Sequence, residues 1–124
     1  MFKCFLSERG DDLIDEWYEE IGPKAQAKLD AILEHFRDTP NHMWGKKHFK
    51  QLVGYDGIYE IRFSVNNVVY RPLGFFGPER NEFTFLIGAR EQGDEFIPRG
   101  APNIAEQRKS IVLKERGRCH ECDF

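Results

Sequence analysis

The stretch Gly57-Ile58-Tyr59-Glu60-Ile61-Arg62-Phe63-Ser64-Val65-Asn66-Asn67-Val68-Val69-Tyr70-Arg71 decides the fold. From Ile58 the apolar and polar residues alternate. Tyr59, Ile61, Phe63 and Val65 face one way and Glu60, Arg62 and Ser64 the other, which is the period of a half-buried strand. Asn66-Asn67 tolerates the positive φ values of a tight hairpin turn, so Val68 to Phe76 returns as a second strand. The turn Gly77-Pro78-Glu79-Arg80-Asn81 leads into a third, with Phe83, Phe85, Ile87 and Ala89 alternating against Glu82, Thr84, Leu86 and Gly88. An antiparallel meander is predicted.

Toward the N-terminus, Phe2, Cys4 and Leu6 alternate as a short strand. Asp11 or Asp12 caps a helix through about Ile21, with Leu13, Ile14, Trp17, Tyr18 and Ile21 on one face. Gly22-Pro23 breaks it. Pro23 suits the first turn of a new helix, whose stripe of Ala25, Leu29, Ile32, Leu33 and Phe36 runs to about Arg37. The two helices are expected to form a hairpin. Thr39 to Gly45 reads as a loop leading to the basic cluster Lys46-Lys47-His48-Phe49-Lys50. After a loop from Gly93 to Pro102, Asn103 can cap a last helix from about Ile104 to Lys114. The expected class is α+β: an N-terminal strand and helical hairpin packed on a three-stranded antiparallel meander, with a C-terminal helix. Residues 1–116 are expected to form a single domain and 117–124 a flexible tail.

The chain has 124 residues, 40% hydrophobic and 31% charged, enough for one core. No apolar run approaches the roughly 18 residues of a membrane span. The start, Met1 to Leu6, lacks the apolar stretch of a secretory signal, and a cytoplasmic location is expected. Cys4, Cys119 and Cys122 make an odd count and are expected to be free thiols in a reducing compartment. Cys119-His120-Glu121-Cys122 offers too few ligands for a closed zinc site, so no metal is expected. There is no Gly-rich phosphate loop, GxSxG or HExxH, and no cofactor is implied.

The net charge of −3 is unevenly spread: residues 1–45 hold five Lys/Arg and ten Asp/Glu, the remainder thirteen and eleven. An anion-binding face on an acidic protein is compatible with that split. With a two-residue turn at Asn66-Asn67, Arg62 falls directly opposite Arg71 on the non-core face. Like charges there need a carboxylate or a bound anion, and guanidinium groups grip phosphate in bidentate fashion. Two readings stay open. Either Glu60, diagonal to Arg71, neutralises the pair in a surface network, or Arg90, by parity with Thr84, Leu86 and Gly88, joins Arg62 and Arg71 in a row of three. Lys46, Lys47, His48 and Lys50 form a basic edge, and His48 could transfer a proton near neutral pH. Tyr55 and Tyr59 could stack on a base, although Tyr59 has core parity.

The run Lys50-Gln51-Leu52, Gly57-Ile58-Tyr59-Glu60-Ile61-Arg62-Phe63 and Val69-Tyr70-Arg71 resembles the phage-derived HigB-like branch of the RelE/ParE toxin superfamily. The order of elements extends the resemblance to most of the chain. It implies a toxin of a type II toxin–antitoxin pair, with a basic concave sheet face opposite the hairpin. In that family the toxin sits on the ribosome when messenger RNA is cut, without metal, the 2′-hydroxyl attacking the adjacent phosphate. Carried over, Arg62 and Arg71 match the motif arginines for phosphate binding and transition-state stabilisation. Arg90 takes the basic position at the end of the last strand, and His48 or Glu91 is the base. Lys46, Lys47, Lys50 and Tyr55 would contact RNA. A cognate antitoxin would be the protein partner, in a hetero-oligomer. After Ile87 the family continues with lysines, whereas this chain reads Gly88-Ala89-Arg90-Glu91-Gln92-Gly93-Asp94-Glu95. The alternatives are a ParE-like inhibitor of DNA gyrase or a non-catalytic accessory protein on the same fold.

Overall fold

The computed structural model describes residues 1–45 and 47–124; Lys46, expected in the basic edge, lies outside the described residues. Strand β1 (Phe2–Phe5) is followed by helix α1 (Leu13–Arg37), a short 3-10 turn, and strands β2 (Phe49–Gln51), β3 (Tyr59–Ile61), β4 (Phe63–Val65), β5 (Val68–Tyr70), β6 (Leu73–Phe76), β7 (Phe83–Ile87), β8 (Arg90–Gln92) and β9 (Glu95–Ile97). Helix α2 (Ala101–Lys114), a second 3-10 turn and β10 (Cys119–Glu121) complete the chain. The class is α+β.

Asp12 caps α1, its carboxylate accepting from Asp15 N at 2.8 Å. The helix is interrupted at Gly22 (φ 85°, ψ 168°), a backbone region essentially reserved for glycine. Beyond it the chain doubles back. Tyr18 Oη donates to the Asp30 carboxylate at 2.8 Å, although twelve residues of straight helix would set the two about 18 Å apart. Burial, and then the Asp30 carboxylate, push the Tyr18 phenol up to about 12.

The hairpin turn forms as expected, with Asn66 at φ 51° and Asn67 at φ 66° and Phe63 opposite Tyr70. The meander strands do not run straight, however. Each breaks midway, at Arg62, at Arg71-Pro72 and at Gly88-Ala89, so that the outer ends form a sheet of order β4-β5-β8-β9 and the inner ends one of order β10-β1-β7-β6-β3-β2. Hydrogen bonds cross the bend: Ile61 N to Pro72 O at 3.1 Å, Arg62 N to His48 O at 2.7 Å, Arg71 N to Ala89 O at 2.8 Å.

Two cores flank the larger sheet. On one face Ile14, Ala25, Leu29, Ile32, Leu33 and Phe36 of α1 pack on Phe2, Cys4, Ile61, Phe83 and Phe85. On the other, Ala101, Ala105 and Val112 of α2 pack on Phe5, Leu73, Phe75 and Leu86. Each such fully buried large side chain stabilises the fold by roughly 1.5–3 kcal/mol. The face opposite the hairpin is therefore not an open concave surface, because α2 covers β6 and β7.

Three further expectations are corrected. Residues expected as a loop from Gly93 to Pro102 contain β9, joined to β8 across Gly93-Asp94 with Gln92 opposite Glu95. The expected flexible tail includes β10, which pairs antiparallel with β1. Cys4 and Cys122 are not free thiols but a disulfide, with Cα atoms 5.1 Å apart, and Cys119 alone is free and buried. Cys122 is thereby withdrawn from any thiolate pair with Cys119, and the compartment inferred from free thiols loses that basis. No helix among the described residues is long and apolar enough to cross a membrane.

Candidate functional site

The bend in the meander collects the charged side chains. Lys50 lies opposite Glu60 in the β2–β3 ladder, and the Arg62 N to His48 O bond extends that register to His48 opposite Arg62. Partners across an antiparallel ladder share a face. His48, Lys50, Glu60 and Arg62 thus stand together, with Arg71 beside them on the next strand.

The arginine pair is relieved by two carboxylates. Arg71 Nε donates to Glu60 Oε2 at 2.6 Å and its Nη1 to Glu91 Oε1 at 3.2 Å. Arg62 Nη2 lies 3.7 Å from the same Glu91 oxygen, and Lys50 Nζ 3.5 Å from Glu60 Oε1. Glu60 is fully buried, so this is no ordinary surface network. The Arg71 guanidinium also lies 4.0 Å from the Phe96 ring centroid, a cation–π contact that strengthens as water is excluded. Phe96 reaches it because β9 pairs with β8, placing Phe96 opposite Glu91. Sequence reasoning missed this arm, although Gly93-Asp94 between two short runs is a hairpin signal.

Arg90 does not complete a row of three arginines. It pairs with Tyr70 and borders the cleft beside Trp17 and Glu20, on the side of α1. The cause is a register shift between Leu73 and Gly74, which face Ile87 and Phe85 respectively. Leu86 is the extra residue of a β-bulge, and a bulge reverses the facing of every residue beyond it. Glu91 arrives at Arg71 in place of Arg90. Arg108 of α2 donates to the bulge carbonyl, Leu86 O, at 2.9 Å; burial pulls its guanidinium below the usual arginine range.

His48 is held by its ring. Nδ1 lies 2.9 Å from Arg62 O; a carbonyl only accepts, so Nδ1–H donates, and the lone pair of the neutral imidazole is on Nε2. Lys47 is exposed in the turn before β2. Tyr55 is elsewhere: its hydroxyl donates to Asn103 Oδ1 at 3.1 Å, and its ring packs on the α2 core. Chemically, the cluster offers two accessible cations, Lys50 and Arg62, with an imidazole beside them and a buried Arg71–carboxylate frame beneath.

Fold and site define a small α+β protein with a cationic patch on a bent sheet. No family model, curated protein or solved structure matches the chain.

Proposed function

We propose that the protein is a RelE/HigB-like toxin acting as a metal-independent endoribonuclease on ribosome-bound messenger RNA. The observation that carries this reading is the His48 ring fixed on the Arg62 carbonyl with Nε2 left to accept a proton. The order of strand, helical hairpin, meander and C-terminal helix supports the RelE-like architecture. In the reaction His48 Nε2 takes the proton of the 2′-hydroxyl. The 2′-oxygen bonds to phosphorus, the bond to the 5′-oxygen breaks, and that oxygen takes a proton from water, leaving a 2′,3′-cyclic phosphate. Arg62 and Lys50 neutralise the charge gathering on the phosphate. Glu91 positions Arg62, while Arg71 and Glu60 hold the frame. A cognate antitoxin would silence the protein by covering this patch.

Induced expression is expected to arrest growth and leave messenger cut within codons. His48→Gln is expected to slow cleavage by about 10²–10⁴-fold, the usual contribution of a general base. Arg62→Ala is expected to abolish toxicity. If both folded variants cut messenger at the wild-type rate, the assigned site is wrong. The occupation of Arg71 by two carboxylates favours one second reading, inhibition of DNA gyrase on the same fold. DNA breaks dependent on gyrase, with messenger intact, would select it.

A further inference from the structure

Around the β2 edge from the cationic patch, on the opposite face of the sheet, lies an open groove of about 600 Å³. Its floor is aromatic. The Phe49 and Tyr59 rings stack side by side, centroids 5.1 Å apart with planes 6° from parallel, and Phe76 stands edge-on to both at 5.7 and 5.1 Å. All three rings are only partly buried, a costly exposure for a chain with two well-packed cores. Asn41 and Gln51 stand at the rim, exposed, with carboxamides that both donate and accept. Lys50 borders the groove as well, while its ammonium lies 3.5 Å from Glu60 within the cationic cluster. One residue is common to both faces.

We propose that this groove is a stacking subsite for an unpaired base of single-stranded nucleic acid whose backbone runs over the β2 edge, its phosphate held at Lys50 and Arg62. The inference rests on the RNA-cleaving reading for its choice of RNA. Charge complementarity and continuity with the patch argue for this occupant, and stacking on aromatic faces is how unpaired bases are held. A protein strand fits less well. β2 is the outermost strand of its sheet but has only three residues, and an exposed lysine on so short an edge opposes strand addition. A phosphate held at Lys50 and Arg62 is the one beside His48 on the same face of the ladder, so the stack couples grip to cleavage.

The test is binding of a fluorescently labelled single-stranded RNA to the full chain at fixed salt, followed by anisotropy. It is set against the same strand with one internal nucleotide made abasic, and against its duplex. Wild-type protein is expected to prefer the complete single strand over both, and Trp44, whose ring centroid is 4.9 Å from that of Phe49, is expected to change its emission on binding. Phe49→Leu and Tyr59→Leu keep apolar bulk but remove the flat face. Each is expected to weaken binding by about 5- to 150-fold, the range of one base–aromatic stack, and to erase the preference over the abasic strand. Tyr59→Phe is expected to restore both.

Folded leucine variants that bind like wild type overturn the groove, even if messenger cleavage persists. So does equal affinity for duplex, or self-association through this face that the leucine variants abolish without any change in RNA binding. A protein that shows the base preference yet cuts no messenger keeps the groove and removes the nuclease. Equal binding of the DNA form of the strand likewise keeps the groove and removes the restriction to RNA.

Discussion

The Arg71 side chain is 14% exposed and that of Arg62 46%, and the difference divides two residues that the sequence presents as a matched pair. Arg71 is spent inside the protein, on Glu60, Glu91 and the Phe96 ring. Removing one partner of a buried pair leaves the other charge uncompensated, at a cost of about 3–5 kcal/mol. Arg71→Ala should therefore lower stability by about that much in urea unfolding, and Arg71→Met combined with Glu60→Leu should recover most of it. Arg62 makes one long contact to Glu91 at the surface, where a pair contributes about 0–1 kcal/mol. Arg62→Ala should unfold near the wild-type midpoint while losing cleavage. Similar destabilisation by the two single variants would refute this division of labour.

At the scale of elements, the bulge at Leu86 decides which charge meets Arg71, and Arg108 satisfies the carbonyl there. Arg108→Met removes the donor to that carbonyl together with the guanidinium that lies 4.9 Å from the Phe5 ring centroid, so a loss of about 1–3 kcal/mol is expected. An unchanged denaturation midpoint would show that the bulge does not depend on α2. Much of this level was legible in the sequence. The alternation from Tyr59 to Val65, the Asn66-Asn67 turn and the Gly22-Pro23 break all act locally, and the hairpin register put Arg62 opposite Arg71. The bulge was not legible, because the written alternation of Phe83, Phe85, Ile87 and Ala89 runs through it unbroken, although Phe83 and Phe85 pack in the α1 core and Ile87 and Ala89 in the α2 core. Parity counted through it misplaced Arg90. The burial of Glu60 was hidden for a related reason: a glutamate at a polar position looks solvated until Arg71 pairs with it, and the Phe96 ring that lies against Arg71 is more than 20 residues beyond it in sequence.

Taken as a whole, the molecule anchors the two edge strands of its large sheet differently. At β2 the edge is short and borders the groove. At the far side β10 covers β1, and several contacts act together to hold it. Cys122 is bonded to Cys4, His120 Nε2 lies 2.6 Å from the Asp12 carboxylate that caps α1, the Phe124 ring stacks on Tyr18 with centroids 4.2 Å apart, and Arg37 donates to Phe124 O at 3.3 Å. The disulfide joins residues 118 apart, so almost the whole chain is a closed loop whose unfolded freedom it restricts. For a loop of this length that route corresponds to about 4–5 kcal/mol. Reduction, or Cys122→Ser, should lower the unfolding free energy by that amount. Because β10 has one neighbour in the sheet and β7 has two, the loss should appear first as faster amide exchange at Cys119 to Cys122 and along β1, with β6 and β7 still protected. The cationic patch is on the opposite side of the sheet order and borrows no residue from β10, so the reduced protein should still bind RNA while it stays folded. Unchanged stability and exchange after complete reduction would mean that ladder, hydrogen bonds and stacking hold β10 without the cross-link. Loss of RNA binding before global unfolding would mean that the two edges of the sheet are coupled.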